Sequence, residues 1–366
     1  MLRKIKLENF KCFREISIPV RPVSVLAGLN GAGKSTVLQS LLLTKQSVYS
    51  NGTLEFLNLE GNTIKMGAAG DILCESAPDN LIHFTFNDEE KECSLAFCVS
   101  DSGMEKQIAT EGQPIIVPTW ISELRYLSAF RISPQNSYDM IGISKSKVFE
   151  YGNNGEFCIQ FLAEYGRRNI AQEKMLPMEA RNDSGTTIQD AVAYWLNFIS
   201  PGVIPVVRAE RDTGNATLQF EYLEGDHKSR THRNINVGFG ITYVLPIVVA
   251  IMAAKPGDLL LLENPEAHVH PGGQIFLGRM IALAAGCGIQ LLVETHSDHV
   301  MNGIRLAVHR GEVSSEAVNF LYFERSREGE HTCREIHTDR KGKLSEWPKG
   351  FFDSWDEALT ELLRGN

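Results

Sequence analysis

Apolar residues occur in this chain both as short unbroken runs and in alternation with polar ones, and the two patterns predict different elements. Residues 23–27, 257–263 and 289–293 are almost wholly apolar between polar ends. Runs of that length predict strands buried on both faces, as in a parallel sheet. Residues 5–13 and 16–20 instead predict two strands joined by a turn, and residues 52–99 are strand-like, broken by turn signals at Glu60-Gly61-Asn62 and Ala77-Pro78-Asp79-Asn80. Further strands are expected at 121–130, 203–207, 217–222, 318–324 and 334–338, with 203–207 and 217–222 joined by a hairpin loop containing Gly214-Asn215. Residues 187–199 carry apolar side chains at i, i+3, i+4 and i+7 and stop at Pro201-Gly202, which predicts an amphipathic helix. Helices are also expected from 37–43, from 236 to about 254, and at 355–363 near the end of the chain. Strands and helices in this mixture predict an α/β fold. No sustained heptad, internal repeat or low-complexity tract interrupts it.

Composition narrows the setting. With 366 residues, 43% of them hydrophobic and 22% charged, the chain can hold two or three domains with ample core. The apolar run 244–254 is too short to span a bilayer, and the first residues lack the apolar segment of a secretory signal. Seven cysteines without a CxxC pair fit reduced thiols better than a disulfide framework or a zinc site, so a cytoplasmic location is expected. A net charge of −9 argues against a protein that coats nucleic acid through its overall field, while leaving room for a local basic groove.

The candidate chemistry begins where the first buried strand ends. Gly28-Leu29-Asn30-Gly31-Ala32-Gly33-Lys34-Ser35-Thr36 lies between a predicted strand and a predicted helix, the context that a GxxxxGK[ST] phosphate loop requires. Its glycines let backbone N–H groups turn toward phosphate oxygens, and the helix behind adds its positive end. Lys34 is placed to reach the β- and γ-phosphates and the Ser35 hydroxyl to sit on Mg²⁺. A nucleoside triphosphate is the expected ligand.

Two later strand ends are polar. Residues 257–263 run into Glu263-Asn264-Pro265-Glu266-Ala267-His268-Val269-His270-Pro271, and a buried parallel strand delivering a carboxylate at its C-terminal end is a Walker B arrangement. Residues 289–293 run into Glu294-Thr295-His296-Ser297. Between them and the phosphate loop, Asn236-Val237-Gly238-Phe239-Gly240 opens a helix, either as a second phosphate-capping turn or as a simple loop-to-helix junction. Arg131 leaves a predicted strand end, facing phosphate, a partner, or a salt-bridging acid. His268 and His270 have no third ligand at suitable spacing for a metal.

Taken together, the opening phrase Leu7-Glu8-Asn9-Phe10-Lys11-Cys12-Phe13, the phosphate loop, Gly238 and Gly240, the Glu263–Pro271 segment and His296 occur in an order that resembles RecF-like and OLD-like ATPases of the ABC class, which also includes the SMC heads. The resemblance covers most of the chain and thins between about residues 135 and 234. It implies an ABC-type head built from N- and C-terminal parts (1–134 and 236–325), an inserted lobe (135–235) and a small C-terminal extension (326–366). It implies ATP held by Asn30, Gly31, Ala32, Gly33, Lys34, Ser35 and Thr36, and Mg²⁺ on Ser35 and Glu263. Gly238 and Gly240 match the signature turn that caps the γ-phosphate of the opposite subunit, residues 264–271 the loop that contacts that subunit, and His296 the switch histidine.

Asn264 departs from the pattern, because the family usually carries its catalytic glutamate there; Glu266 and His296 are the residues that would compensate. The glutamine that ABC heads usually supply is missing from 52–99, and Gln39 and Gln46 are expected on the surface. No Toprim segment is expected after the head, so the nuclease half of OLD proteins would be lacking. The implied activity is slow ATP hydrolysis by a switch that forms an ATP-dependent homodimer. It would control a separate effector, such as a nuclease from the same operon, in bacterial anti-phage defence, with any nucleic acid reached through that partner. The alternative is a RecF-like repair clamp that binds DNA itself.

Overall fold

A computed structural model of the chain describes residues 1–141, 151–181, 185–210, 212–225, 227–348 and 361–362. The chain divides into two compact units. One comprises Met1–Leu124, Val318–Asp339 and the described part of Leu344–Asn366, the other Arg125–Ala317 and Arg340–Lys343.

The first unit opens with β1 (Leu2–Phe10) and β2 (Phe13–Pro19), an antiparallel pair with Ile5 opposite Ile18 and Leu7 opposite Ile16. β3 (Val23–Gly28), buried as far as Ala27, leads into α1 (Lys34–Ser47). Farther along, β4 (Leu81–Asp88) pairs with the other edge of β1, and β5 (Glu92–Cys98) pairs with β4, giving the order β2-β1-β4-β5. Alternation along β4 turns Phe84 and Phe86 to one face, where Phe84 meets Phe10 and Phe97 edge-on at ring distances of 4.8 and 5.6 Å.

Two expectations are corrected in this unit. Gln46 is not a surface residue: its amide donates to the carbonyls of Asn58 and Ile64 and accepts from the Ile64 N–H, clamping that loop to α1. Gln39 is likewise half-buried and accepts from the Lys11 ammonium at 2.9 Å. Residues 121–130 are not one strand either. Pro118 starts the short helix α2 (Thr119–Glu123), whose Trp120 indole N–H is held by Asp88 at 2.9 Å.

In the second unit, β6 (Arg125–Leu127) is all that remains of that expected strand. The helix α3 (Cys158–Tyr165) and the amphipathic α4 (Ile188–Ile199) follow, the latter capped by the Thr187 hydroxyl accepting from the Asp190 N–H. The expected hairpin is present and longer than its apolar cores, as β7 (Val203–Glu210) and β8 (Asn215–Glu224), paired from Val203 opposite Tyr222 to Glu210 opposite Asn215. Next comes α5 (Phe239–Ala253), buried along nearly its whole length, as its unbroken apolar sequence requires. It is followed by β9 (Leu259–Glu263), α6 (Pro271–Gly286), β10 (Gln290–Glu294) and α7 (Asp298–His309). The strands β6, β9 and β10 run parallel, with Tyr126 beside Leu261, Leu261 beside Leu292 and Glu263 beside Glu294. Parallel register brings all their C-terminal ends to one edge, so the polar residues that terminate β9 and β10 are neighbours.

The chain then returns to the first unit. β11 (Val318–Arg325) lies parallel to β3, ending with Phe323 beside Gly28, and β12 (His331–His337) pairs with β11. The helix expected at 355–363 lies outside the described residues except for Glu361 and Leu362. Among the described residues no helix is long and apolar enough to cross a membrane.

Candidate functional site

In the first unit the phosphate-loop sequence forms the turn between β3 and α1. Gly28 has φ 130°, and a Cβ there would lie 2.1 Å from the Phe323 carbonyl oxygen of the neighbouring strand. Gly33 has φ 107°, and a Cβ would meet the Phe13 ring at 2.4 Å. Both positions therefore exclude a side chain by space as well as by backbone. Gly31, at φ 74°, faces open space, so only its backbone conformation calls for glycine.

Gly33 also precedes the first residue of α1, where no side chain caps the helix and no acid lies in its first turn. The N–H groups of Lys34, Ser35 and Thr36 thus open an anion-seeking helix end. Lys34 is only 3% exposed, and its ammonium donates to the carbonyls of Gly28 and Leu29 at 2.9 and 2.8 Å. The lysine is thereby folded over the loop of Asn30, Gly31 and Ala32, whose last carbonyl is 3.1 Å from the His331 ring nitrogen.

The second unit carries the polar strand ends. Glu263 is the last residue of β9; its carboxylate accepts from the Ala129 N–H at 3.3 Å, and the Tyr126 hydroxyl on the adjacent strand favours its charged form. Burial pushes the Glu263 carboxyl above its ordinary range, against the opposing effects of those two donors and of Arg131. Burial, with Glu263 beside it, raises the Tyr126 hydroxyl in turn.

Asn264 has φ 42° and donates its N–H to the Glu294 carbonyl at 2.8 Å. Left-handed backbone of this kind suits asparagine better than most side chains. Glu266 turns back to the residues that follow β10: one oxygen accepts from the Thr295 hydroxyl at 2.7 Å, the other from the His296 N–H at 2.8 Å. The His296 side chain lies at the exposed end of that strand.

Two histidines that invite a metal reading have structural partners. The His268 ring packs edge-on against Phe239 and Tyr243 at 4.8 and 4.9 Å. The His270 ring accepts from the Gly272 N–H and caps α6, with Pro271 in its first turn. Among the described residues no three His, Cys, Asp or Glu side chains gather as a metal site. Magnesium does not require such a cluster, since it takes a few hard oxygens and keeps its waters. The Ser35 hydroxyl and the Glu263 carboxylate are donors of that chemistry, one in each unit.

Gly238 and Gly240 begin α5 and differ sharply in surroundings. A Cβ at Gly238 would meet nothing within 4 Å, whereas one at Gly240 would lie 2.1 Å from the His268 carbonyl oxygen. Gly240 is glycine because the turn after β9 presses against it; Gly238 leaves the helix N-terminus open, with no acid in the first turn.

Arg131 takes none of the roles its sequence position suggested. It is buried, and its guanidinium donates to the carbonyls of Tyr243, Ser128, Glu263 and Asn264 at 2.8–3.0 Å. It also lies over the Tyr243 ring, 4.5 Å from the centroid, and burial lowers it to about 10. Sequence reasoning missed Tyr126 altogether and misjudged Arg131, because both act on residues more than a hundred positions away.

Comparisons with known proteins bear on the fold and the family. The fold is that of an SMC head over nearly the whole chain. It matches the SmcHead bound to the C-winged helix domain of ScpA with a TM-score of 0.51 at 12% identity, covering 92% of this chain and 98% of that one. It also matches the Smc head domain with an extended coiled coil bound to the C-terminal domain of ScpA from Pyrococcus furiosus, with a TM-score of 0.50 at 12% identity over 99% and 98% of the two chains. In sequence it is 21% identical over 319 residues to the OLD nuclease of Thermus scotoductus, covering 81% of this chain and 59% of that protein's length. Residues 313–362 match a family described as a protein of unknown function, DUF3696. Residues 193–302 match the AAA domain family named for the AbiEii toxin of type IV toxin–antitoxin systems. The AAA ATPase domain model matches residues 1–190, just over half of the chain, and the chain belongs to that family, as an ATP-binding P-loop ATPase with the mixed α/β fold of an SMC-type head.

Proposed function

We propose that the protein is an ATP-gated switch: it closes as a homodimer around ATP, hydrolyses it slowly, and through that cycle controls a separate effector in bacterial anti-phage defence. The observation that carries the slow cycle is the end of β9. An amide, Asn264, follows Glu263, and the nearby Glu266 carboxylate has both oxygens engaged by Thr295 and His296. An amide can orient water and is no base at neutral pH. In this reading Lys34 and the loop N–H groups bind the β- and γ-phosphates. Ser35 and Glu263 hold Mg²⁺, whose charge would offset that of the phosphates. Glu266 fixes the backbone at His296, and the His296 ring reads the γ-phosphate. The family names AbiEii toxin and OLD nuclease support the defence setting and an effector that cuts or poisons. The division into a head of 1–134 and 236–325, a lobe of 135–235 and an extension of 326–366 belongs to the same proposal.

The dimer is tested at Gly238. Gly238→Val is expected to leave ATP affinity unchanged while abolishing ATP-dependent dimerisation in analytical ultracentrifugation, because a Cβ there meets nothing within 4 Å among the described residues. A dimer equally tight with and without ATP, and indifferent to the substitution, refutes the proposal. Gly240→Val is unsuitable for this purpose, since its side chain would strike the His268 carbonyl of its own chain. Salt-sensitive DNA binding by the isolated protein would favour the clamp instead.

Glu263→Gln separates function from stability. The neutral amide removes a charge that burial disfavours, so the melting temperature without nucleotide is expected to rise by about 1–2 °C, while Mg²⁺-dependent stabilisation by ATP disappears. Differential scanning fluorimetry with and without Mg·ATP measures both. A lower melting temperature would mean that the donors around Glu263 outweigh its burial.

A further inference from the structure

We infer that Arg131 is a positioning residue that joins the first turns of α5 to the acid end of β9, so that the capping turn at Gly238 and the placement of Glu263 and Asn264 change together. The inference rests on the proposed switch and adds the link by which closure at α5 reaches the hydrolytic residues.

The geometry is that of a junction. One guanidinium bonds carbonyls from three segments: Ser128 in the turn after β6, Glu263 and Asn264 at the end of β9, and Tyr243 in α5. Four N–H···O bonds use nearly the full donor set of an arginine, in a planar fork that lysine cannot reproduce. Tyr243 closes the arrangement from the other side. Its ring lies under the guanidinium, its hydroxyl donates to the Ala129 carbonyl, and the Ala129 N–H donates to the Glu263 carboxylate. A path of direct contacts therefore runs from α5 through Tyr243, Arg131 and Ala129 to both the backbone and the carboxylate of Glu263.

Two further features favour a coupling role over simple packing. Burying a guanidinium is costly, and an apolar side chain of similar volume usually serves a purely structural need as well or better. Pro246 lies inside α5 and lacks the N–H that would continue the ladder, which weakens the tie between the first two turns and the rest of the helix. Those turns, carrying Gly238, Phe239 and Gly240, are instead held by Arg131 and by the aromatic contacts of Phe239 and Tyr243 with His268.

The test is a double-mutant cycle on the full-length protein with ATP and Mg²⁺, reading melting temperature, ATP affinity, dimerisation and kcat. Arg131→Lys keeps the charge and loses the fork. It is expected to leave KM and ATP affinity within twofold of wild type and to lower kcat about tenfold. The effect of Gly238→Val on kcat should then shrink in the Arg131→Lys background, because the two changes break one path. Tyr243→Phe removes only the hydroxyl link and should act in the same direction, about threefold, which keeps the inference testable if Arg131→Lys fails to fold. Lower melting temperatures with unchanged kcat and fully additive effects would show Arg131 to be structural only. A wild-type protein that forms no ATP-dependent dimer would overturn the switch and this inference together. A dimer that Gly238→Val breaks, beside additive Arg131 and Tyr243 variants, overturns the inference alone.

Discussion

Lys34→Ala is expected to weaken triphosphate binding by about 10²–10³-fold, measured by calorimetry or fluorescent-nucleotide titration, with the fold retained. The lysine contributes a full positive charge at the β- and γ-phosphates, and hydrogen bonds to charged groups are worth about 1.5–3 kcal/mol each. Losing one or two of them with the charge amounts to about 3–4 kcal/mol, at 1.4 kcal/mol per tenfold. The side chain is almost fully buried and holds the carbonyls of Gly28 and Leu29. The substitution therefore has a structural component too, about 1 kcal/mol, since Leu29 lies exposed and its carbonyl can turn to water. Gly28 and Gly33 are also packed closely against Phe323 and Phe13, contacts that do not involve Lys34. Unchanged ATP affinity in this variant would remove the phosphate-loop assignment and everything built on it.

Asn264→Glu is expected to raise kcat by about 10²-fold and to lower stability by about 1 kcal/mol. A positioned general base contributes about 10²–10⁴-fold, and the lower figure suits a site in which Asn264 already orients water. The stability loss has a separate cause. Residue 264 has φ 42°, where asparagine is at ease and glutamate carries a penalty of about 1–2 kcal/mol. Phosphate release and thermal melting measure the two effects independently. Their opposite signs are the signature, because a substitution that merely perturbed the turn would lower both. An unaltered protein that hydrolyses ATP as fast as Asn264→Glu would show that the position is not the one that limits the cycle. Engagement of Glu266 by Thr295 and His296 is the reason Glu266 is not expected to take over as base.

What the sequence by itself determined are features whose physics is local. Unbroken apolar runs could only be strands or helices without a wet face, and β3, β9 and β10 are buried along nearly their whole lengths. Three glycines around a lysine between strand and helix specify a phosphate loop, because left-handed backbone and close approach are properties of the residues themselves. The amphipathic α4 and the hairpin around Gly214 were legible for the same reason.

Only the tertiary structure decided which polar groups are spoken for. Lys34, expected at the phosphates, is almost fully buried against the loop carbonyls; Gln46 reads as surface and clamps a loop; Arg131, expected to face phosphate, a partner or an acid, binds four carbonyls. Gly238 and Gly240 look equivalent in the sequence, yet one faces open space and the other the His268 carbonyl. Glu266 stands two residues from Asn264, yet its carboxylate belongs to the residues that follow β10. For Gln46, Arg131, Gly240 and Glu266 the deciding partner lies outside the local segment. A hydrogen bond or steric contact depends on positions to within an ångström or less, and periodicity along the chain carries no such information.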